Sequence, residues 1–486
     1  MTIFMALDIG TTGTKAALID DQLNVLESAY QGYGTHSEGG GIVEQNADDW
    51  WNAAQKAALA LDGSRTEAIV LTGQMQNVIL LDEAGELVRP VILYSDTRAT
   101  KEAIWVNAQI GTERLAELTG YDQEAGSLLA KLRWLQHHEP ESLAKSAHLL
   151  IGAADLIAHQ LTGRYVTDIT TAATSGLIAL NSRDWLNDEL MNALQLRTVR
   201  PLLPHLVPGG TNIGTVTPQG AAMIGVAPDL PVYLGPGDAG AASLGMGGGM
   251  PGRPYAYVGT SGWIAFTSTT RGDAARGVWT LPHPHPELWI GIAPLLTAGG
   301  GFEWMRAIVG SPDVATLIEC AISAHPPGSE DVRDSLIYLP YLNGERSPIK
   351  DPAARGAFIG LTTRHTAEDL SYAVMEGTAF AFRHALEALV TESAIQSLAL
   401  TGGGARSPGW NQLLANVIGV STQEAADPEH TTLRGAVVAA QGLWNVEARM
   451  AAVYNPDMTA YKHHSRRYAW FRDAYPALRG LFNAMH

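Results

Sequence analysis

Short apolar runs separated by Gly, Asp and Asn dominate the first part of the chain. Runs of this length, bounded by turn-forming residues, are typical of buried strands. Strands are therefore predicted at 5–9, 15–19, 68–71, 78–81 and 91–94. Residues 47–61 are predicted to form a helix, because apolar residues recur on one face at the helical period. These residues are Trp51, Ala54, Ala58 and Leu61.

The remainder of the chain mixes the two periods. The segment 126–161 carries mostly helical stripes, and a long helix is predicted after Thr366, where Thr366 and Asp369 have the spacing of a capping box. A further helix is predicted at 409–418. Further strands are predicted at 231–234, 255–258, 263–266 and 398–401. Strands mixed with helices favour an α/β or α+β fold over an all-β fold.

Two turns in distant parts of the chain resemble each other. The first, at 8–13, and the second, at 258–262, each contain a glycine, two hydroxyl residues and a second glycine between two predicted strands. This similarity indicates two related halves. The boundary is predicted near 245, giving one domain at 1–245 and another at 246–486.

Composition and charge narrow the class of protein. Of the 486 residues, 46% are hydrophobic and 17% are charged, which supports large buried cores and excludes global disorder. The formal charge is −17, which argues against a protein that grips nucleic acid or an anionic membrane. The N-terminus has no basic leader, and glycines interrupt the longest apolar stretch. A cytoplasmic protein without a membrane span is expected.

The single cysteine, Cys320, excludes an intramolecular disulfide and a cysteine-based zinc site. Because it lies in the apolar stretch 317–322, Cys320 is expected to be buried.

The first turn has the chemistry of an anion site. Gly10 permits a tight turn with close ligand approach, Thr11 and Thr12 offer hydroxyl groups, and Lys15 adds a positive charge. Asp8 ends an apolar strand, where a hydrated Mg²⁺ would satisfy its carboxylate. An ordinary hairpin turn capped by Asp8 is the alternative that these residues leave open.

Asp238 follows an apolar strand in a turn rich in Gly and Pro, ahead of a helix of small residues. A carboxylate in this position is well placed for catalysis. The alternative is that Asp238 only caps the helix, which is a very common role for this residue type.

Other turns offer polar groups that suit a ligand. The turn at 259–262 repeats the hydroxyl groups without the acid, and the glycines at 402–404 let the backbone lie flat against a planar or anionic group. The loops 73–77 and 94–98 carry the mixed donors and acceptors that a polyhydroxylated ligand needs. Flexible connections and surface loops remain the alternatives. Neither a P-loop nor a dinucleotide-binding fingerprint is present.

These turns, in this order, resemble the FGGY carbohydrate kinases. The most specific match is the segment 356–361 followed, after seven residues, by 369–376, which fits the second signature of that family. The segments 338–348 and 400–407 resemble the xylulokinase branch. The resemblance implies two ribonuclease-H-like domains of the actin and sugar-kinase ATPase superfamily, with a cleft between them.

The resemblance also implies roles for particular residues, with ATP and Mg²⁺ as the nucleotide and metal. Asp8 would hold Mg²⁺ through water, and Asp238 would be the general base. The residues implied to face the sugar are Gln76, Asp96 and Asp238. The residues implied to contact ATP are Thr11, Thr12, Lys15, Gly259, Thr260, Gly403, Gly404, Ala405 and Asn411.

Three departures from the xylulokinase pattern lie on the sugar side. The family usually has His at the position of Gln76, Trp at that of Tyr94, and Asn or Gln at that of Ala239. The expected activity is ATP-dependent phosphorylation of a primary hydroxyl of a ketopentose. D-xylulose is the first candidate substrate. Ribulose, gluconate, a glycerol-like polyol, and a catalytically silent ATP-binding regulator are the alternatives. A sugar and a nucleotide are the expected partners, and a homodimer is expected only by family analogy.

Overall fold

The N-terminal strand Ile3–Ile9 is buried along its whole length, as expected for a strand inside a sheet that is covered on both faces. The structure is a computed structural model, and it describes residues 2–325, 335–390 and 395–485. The strands in these ranges are β1 Ile3–Ile9, β2 Gly13–Asp20, β3 Val25–Gly32, β4 His36–Glu38, β5 Ile42–Gln45, β6 Ala68–Gly73, β7 Ile79–Leu81, β8 Val91–Ile92, β9 His148–Leu150, β10 Val166–Asp168, β11 Ile178–Ala179, β12 Asp184–Trp185, β13 His205–Val207, β14 Thr211–Thr215, β15 Pro231–Leu234, β16 Tyr255–Val258, β17 Gly262–Ser268, β18 Trp279–Pro282, β19 Trp289–Leu295, β20 Ile337–Leu339, β21 Ala357–Ile359, β22 Ser397–Thr401, β23 Ser421–Ala425 and β24 Met450–Tyr454.

Helices alternate with these strands, as the mixed sequence pattern predicts. The helices in the same ranges are α1 Ala47–Leu59, α2 Thr100–Ile110, α3 Thr112–Thr119, α4 Leu128–His138, α5 Pro140–Lys145, α6 Ala153–Thr162, α7 Ile169–Ala173, α8 Asp188–Ala193, α9 Pro218–Ile224, α10 Asp238–Gly245, α11 Gly299–Val309, α12 Val314–Ala324, α13 Ala367–Leu389, α14 Pro408–Ile418, α15 Thr431–Gln441 and α16 Met458–Ala484.

The chain forms two compact units, each made of three segments. The first unit comprises Met1–Gly249, Thr280–Ile290 and Glu429–Glu447. The second unit comprises Met250–Trp279, Gly291–Pro428 and Ala448–His486. Each unit is built around one large sheet.

The large sheet of the first unit has six strands in the order β14-β15-β6-β1-β2-β3. Strand β1 pairs antiparallel with β2 and parallel with β6, and β6 pairs parallel with β15. Helices α1 and α6 pack on one side of this sheet through apolar side chains such as Trp50 and Ile157. Helix α15 packs on the other side, where Leu433 and Val437 meet Phe4 and Val70.

The other large sheet has seven strands in the order β18-β19-β17-β16-β22-β23-β24, and most of its residues belong to the second unit. Strand β16 pairs antiparallel with β17 and parallel with β22, and β22 pairs parallel with β23. The same pairing pattern therefore surrounds β1 in one unit and β16 in the other. The repeated pairing pattern, like the similar turns, therefore occurs once in each unit.

The structure confirms most of the predicted elements. The capping box at Thr366 is present, with both of its hydrogen bonds. The segment 126–161 holds the strand β9, which its helical pattern did not predict. The expected burial of Cys320 is wrong, because this cysteine is exposed. Helix α12 buries Leu317, Ile318 and Ala321, and Cys320 lies on a different face of the helix.

No single helix in the described residues is long and apolar enough to cross a membrane. The bent pair α11 and α12 passes that test together, by length and composition only.

Candidate active site

Asp8 lies in β1, where it is opposite Lys15 of β2 on one side and Thr72 of β6 on the other. Its side chain is buried, and its Oδ1 has no hydrogen-bond partner among the described residues. Burial raises the pKa of the Asp8 carboxyl, and the charge of Lys15 opposes that rise. A buried carboxylate oxygen without a partner is costly unless a cation satisfies it. Because Mg²⁺ prefers oxygen ligands, Asp8 fits a magnesium site.

Asp238 is the first residue of α10, and it follows the loop 235–237 at the end of β15. The capping position is held by Gly237, so Asp238 is not the N-cap of this helix. Its Oδ1 accepts a hydrogen bond from the backbone N–H of Ala239 at 2.7 Å. Burial raises the pKa of Asp238 to about 7, with the charge of Asp8 adding to the rise. A carboxylate with such a pKa is suited to accept a proton near neutral pH.

The loop before Asp238 is held on both sides. The hydroxyl of Thr72 donates to the carbonyl of Pro236 at 2.7 Å. On the other side, the backbone N–H of Gly237 donates to the carboxylate of Asp168, which also caps α7. A Cβ at Gly237 would lie 2.1 Å from the sulfur of Met75 and 2.5 Å from the hydroxyl of Thr171, so a larger residue would have to displace these side chains.

Helix α10 is itself fixed by close packing on α15. A Cβ at Gly435 would lie 1.7 Å from the carbonyl oxygen of Ala241, and one at Gly245 would lie 2.1 Å from that of Thr431. The two helices therefore meet backbone to backbone. This contact fixes the position of Asp238 at the start of α10.

The turn between β1 and β2 carries Thr11, Thr12 and Lys15. The hydroxyl of Thr11 lies 3.5 Å from Gln74 Oε1 and 3.4 Å from the hydroxyl of Tyr94. The ammonium of Lys15 donates to the backbone carbonyl of Glu429 at 3.1 Å. The side chain of Thr12 is exposed.

Of the two other predicted sugar residues, Asp96 is engaged by protein groups and Gln76 is partly open. Asp96 is fully buried, and its carboxylate accepts from the backbone N–H of Val43 at 2.7 Å and from Nη2 of Arg98 at 2.7 Å. Gln76 is half-buried and has a positive φ of 62°. Such a φ is uncommon for a residue other than glycine and recurs at functional sites.

The second unit carries the turn that resembles the first. The N–H groups of Ala298 and Gly300 donate to the carbonyl of Thr260 at 3.0 and 2.9 Å. The N–H of Gly299 donates to the carbonyl of Gly259 at 2.8 Å. The turn between β16 and β17 is thus fastened to the beginning of α11.

The glycines after β22 form a short 3₁₀ turn at Gly403–Arg406. A Cβ at Gly403 would have no described atom within 4 Å, whereas one at Gly404 would lie 2.5 Å from Val258 Cγ1. Asn411 is fully buried, and its Nδ2 donates to the carbonyl of Ala405 at 2.7 Å. Asn411 therefore holds this turn from behind.

The structure thus divides the predicted residues between the two units. The first unit holds Asp8, Thr11, Thr12, Lys15, Gln76, Asp96 and Asp238. The second unit holds Gly259, Thr260, Gly403, Gly404, Ala405 and Asn411.

Sequence reasoning missed the residues that hold these turns in place. Asp168 follows a threonine and precedes two more hydroxyl residues, which is the pattern of a helix cap, and that signal was available. The contacts of Gly299 and Gly300 left no such signal, because their partner carbonyls lie far away in sequence.

Family models match both parts of the chain: the N-terminal domain of the FGGY family of carbohydrate kinases at residues 3–245, and its C-terminal domain at 255–443. The chain belongs to the FGGY family of carbohydrate kinases, whose members use ATP as a substrate. The resemblance inferred from the sequence motifs and the two-domain α/β fold are thereby confirmed.

The substrate named for individual relatives differs from one relative to another. The chain is 29% identical to a xylulose kinase of Escherichia coli (strain K12), over 99% of either chain. A solved xylulose kinase from Lactobacillus acidophilus has a TM-score of 0.91 and 25% identity, with 100% of both chains covered. A solved gluconate kinase from the same organism has a TM-score of 0.90 and 25% identity, also with 100% of both chains covered.

Proposed function

We propose that the protein transfers the γ-phosphoryl group of ATP to a primary hydroxyl of D-xylulose, giving D-xylulose 5-phosphate and ADP. The observation that carries this proposal is the position of Asp238 at the start of α10, with burial and the charge of Asp8 raising its pKa to about 7. A fixed acid of this kind can act as the general base for a sugar hydroxyl.

In the proposed reaction, Asp238 accepts the proton of the attacking hydroxyl. The hydroxyl oxygen forms a bond to the γ-phosphorus as the bond between that phosphorus and the bridging oxygen of ADP breaks. The electron pair of the broken bond remains on ADP, and the proton remains on Asp238 until product release. Phosphoryl transfer of this type depends mainly on positioning and on stabilisation of charge.

Asp8 is the proposed holder of Mg²⁺, through water, and its buried unpartnered oxygen supports this role. A bound magnesium ion would neutralise negative charge on the phosphates. The part played by the chain itself is to keep the Asp8 carboxylate fixed between Lys15 and Thr72 in the sheet.

The proposed nucleotide contacts follow the turns. Thr11, Thr12 and Lys15 bind the β- and γ-phosphates, and Lys15 exchanges the Glu429 carbonyl for a phosphate oxygen. In the second unit, Gly259 and Thr260 contact the phosphates. The turn of Gly403, Gly404 and Ala405 lies against the adenosine, with Asn411 holding that turn.

On the sugar side, Gln76 is the proposed direct contact together with Asp238. Asp96 has Arg98 and the Val43 N–H as hydrogen-bond partners. Its proposed role is therefore to stabilise the conformation of the loop 94–98, and Asp96 itself faces the sugar. The xylulose kinase names among the relatives support D-xylulose, and the gluconate kinase supports gluconate as the second candidate.

The test is a panel of D-xylulose, D-ribulose, gluconate, glycerol and a pentitol, with ADP release and phosphosugar formation both measured. The proposal expects the highest kcat/KM with D-xylulose. Preference for gluconate would overturn the substrate but retain the kinase chemistry. ATP binding without turnover of any compound would favour the regulator.

A further inference from the structure

We propose that Gln45 is a positioning residue for the turn at 10–13, and that it keeps the Thr11 carbonyl turned away from the bound phosphates. This inference rests on the proposed phosphate role of that turn. Gln45 is the last residue of β5 and is almost fully buried.

The side-chain amide of Gln45 has four hydrogen bonds. Its Nε2 donates to the Thr11 carbonyl and to the Thr35 hydroxyl, both at 2.7 Å. Its Oε1 accepts from the indole N–H of Trp50 at 2.8 Å and from Gln74 Nε2 at 3.2 Å. An indole N–H can only donate, so the amide oxygen of Gln45 must face Trp50. This requirement fixes the NH₂ group toward Thr11.

The other carbonyls of the turn are engaged in the same way. The hydroxyl of Tyr33 donates to the carbonyl of Gly10, and that of Tyr30 donates to the carbonyl of Thr12 at 2.9 Å. The carbonyl of Gly13 accepts from the N–H of Gly10 at 3.1 Å. All four carbonyls of the turn are therefore bound from within the first unit.

The remaining polar groups of the turn are donors. Within the described ranges, the N–H groups of Thr11 and Thr12 have no hydrogen-bond acceptor. A turn whose carbonyls are held back and whose N–H groups are free is a concavity for an anion. Rotation of the Thr11 peptide would place a carbonyl oxygen where the phosphate oxygens bind. The Gln45 contact prevents this rotation, so that positively polarised N–H groups face the phosphates.

Strand β5 also reaches the proposed sugar loop. The N–H of Val43 binds Asp96, and the carboxylate of Glu44 accepts from Arg98 at 2.6 Å. Neighbouring residues of one short strand thus hold the phosphate turn and the loop 94–98. Gln45 is the member of this set that contacts the phosphate turn directly.

The test compares Gln45→Met, which keeps the length of the side chain but has no N–H, with Gln136→Met as the matched control. Gln136 also donates through Nε2 to two partners in the first unit, at Gln195 and Thr198. Gln45→Met is expected to lower kcat about 10- to 100-fold, because small misplacements of a binding group have effects of this size. The sugar KM is expected to stay within about twofold, and Gln136→Met is expected to match the wild type.

Calorimetric binding of AMP and of a non-hydrolysable ATP analogue provides a readout that does not depend on the sugar. Gln45→Met is expected to weaken the analogue about fivefold or more and to leave AMP unchanged. Equal weakening of both nucleotides, or wild-type values for both with normal kcat, would overturn the proposal. Failure of the wild type to phosphorylate D-xylulose would instead overturn the proposed substrate.

If Gln45→Met does not fold, Tyr33→Phe tests whether the carbonyls of the turn at 10–13 must be held for the nucleotide phosphates to bind. This variant removes only the hydroxyl that binds the Gly10 carbonyl. Selective loss of analogue binding supports a turn held by its carbonyls. Unchanged binding of both nucleotides contradicts it.

Discussion

The two large sheets share a strand-pairing pattern, but the residue two positions before the similar turn is an acid in one sheet and an aromatic residue in the other. In the first unit, Asp8 lies two residues before the turn, opposite Lys15 on one neighbouring strand and Thr72 on the other. In the second unit, Tyr257 occupies the same place, opposite Trp263 and Thr401. Asp8 and Lys15 are ionisable residues, and the charge of Lys15 lowers the pKa of Asp8 against the effect of burial. Tyr257 and Trp263 are instead stacked rings with centroids 4.1 Å apart.

The two units also hold their turns differently. Side chains of Tyr33, Gln45 and Tyr30 bind the carbonyls of the first turn, whereas backbone N–H groups of 298–300 bind those of the second. A repeated fold can therefore place an acid beside the turn in one half only. The other half then retains the turn without the acid.

The largest expected effect comes from removing the charge at Asp8. Asp8→Asn keeps the size of the side chain but loses the carboxylate charge that would hold Mg²⁺ in the proposed function. Metal stabilisation of a transition state is worth several kcal/mol, so kcat is expected to fall at least about 100-fold. The measurement is turnover against Mg²⁺ concentration. Normal turnover and normal Mg²⁺ dependence in this variant would contradict the proposed chemical difference between the two halves.

A buried acid in the second unit, Glu376, differs from Asp8 because both of its carboxylate oxygens have hydrogen-bond partners. Glu376 of α13 binds His464 Nδ1 at 2.7 Å and Arg467 Nη2 at 2.6 Å. Burial alone would raise the pKa of Glu376, but Arg467 and His464 outweigh burial and lower the pKa to about 2. Glu376→Gln is expected to destabilise the protein by about 3–5 kcal/mol, because it removes the buried negative charge that pairs with the guanidinium of Arg467. Urea unfolding of both proteins measures the difference.

The pH dependence of that difference has a definite sign. The folded-state pKa of Glu376 lies below its ordinary value of 4.5. The stability that the carboxylate contributes is therefore complete above pH 4.5 and is lost as the pH falls toward 2. The two unfolding midpoints should approach each other between these values. A difference that does not change with pH would contradict the paired charge.

A smaller effect tests the backbone support of the second turn. A Cβ at Gly300 would lie 2.9 Å from the carbonyl oxygen of Thr260, whereas one at Gly301 would have ordinary contacts beginning at 3.6 Å. Gly300→Ala is therefore expected to displace the turn and to raise the KM for ATP about tenfold. Gly301→Ala is the matched control and should leave that KM unchanged. Equal values for the two variants would show that the turn tolerates the displacement.

The smallest expected effect concerns sugar choice. Ala239→Asn adds an amide directly after the proposed base. One hydrogen bond contributes about 0.5–1.5 kcal/mol, which is roughly two- to tenfold in binding. The relative kcat/KM values among the sugars should change more than the KM for ATP. A large loss of ATP affinity with the same order of sugars would contradict the sugar-side assignment.

The sequence predicted the turns well because glycine, hydroxyl and acidic residues between apolar strands are local signals. Strand β16 has the bounds that the apolar run 255–258 predicts. The residues behind the turns were harder to predict, since their contacts depend on tertiary packing. Gln45 contacts Thr11, which is 34 positions earlier in the chain, and Gly300 contacts Thr260, which is 40 positions earlier. No local pattern specifies such pairs.

The role of Asp96 shows a different limit. A polar loop at the end of a predicted strand favours a ligand contact, but the same pattern is typical of an acid that stabilises its own loop. The contacts with Arg98 and with the Val43 N–H became visible only in the folded chain.

The turnover of Asp238→Asn tests most directly whether Asp238 is the general base. Asparagine keeps the shape of the side chain and can still accept the hydrogen bond from Ala239, but it cannot take the proton of the sugar. We expect kcat to fall about 10²- to 10⁴-fold, while ATP still binds and the thermal unfolding midpoint stays near that of the wild type. Near-normal kcat in a folded Asp238→Asn protein would contradict the assignment of Asp238 as the base.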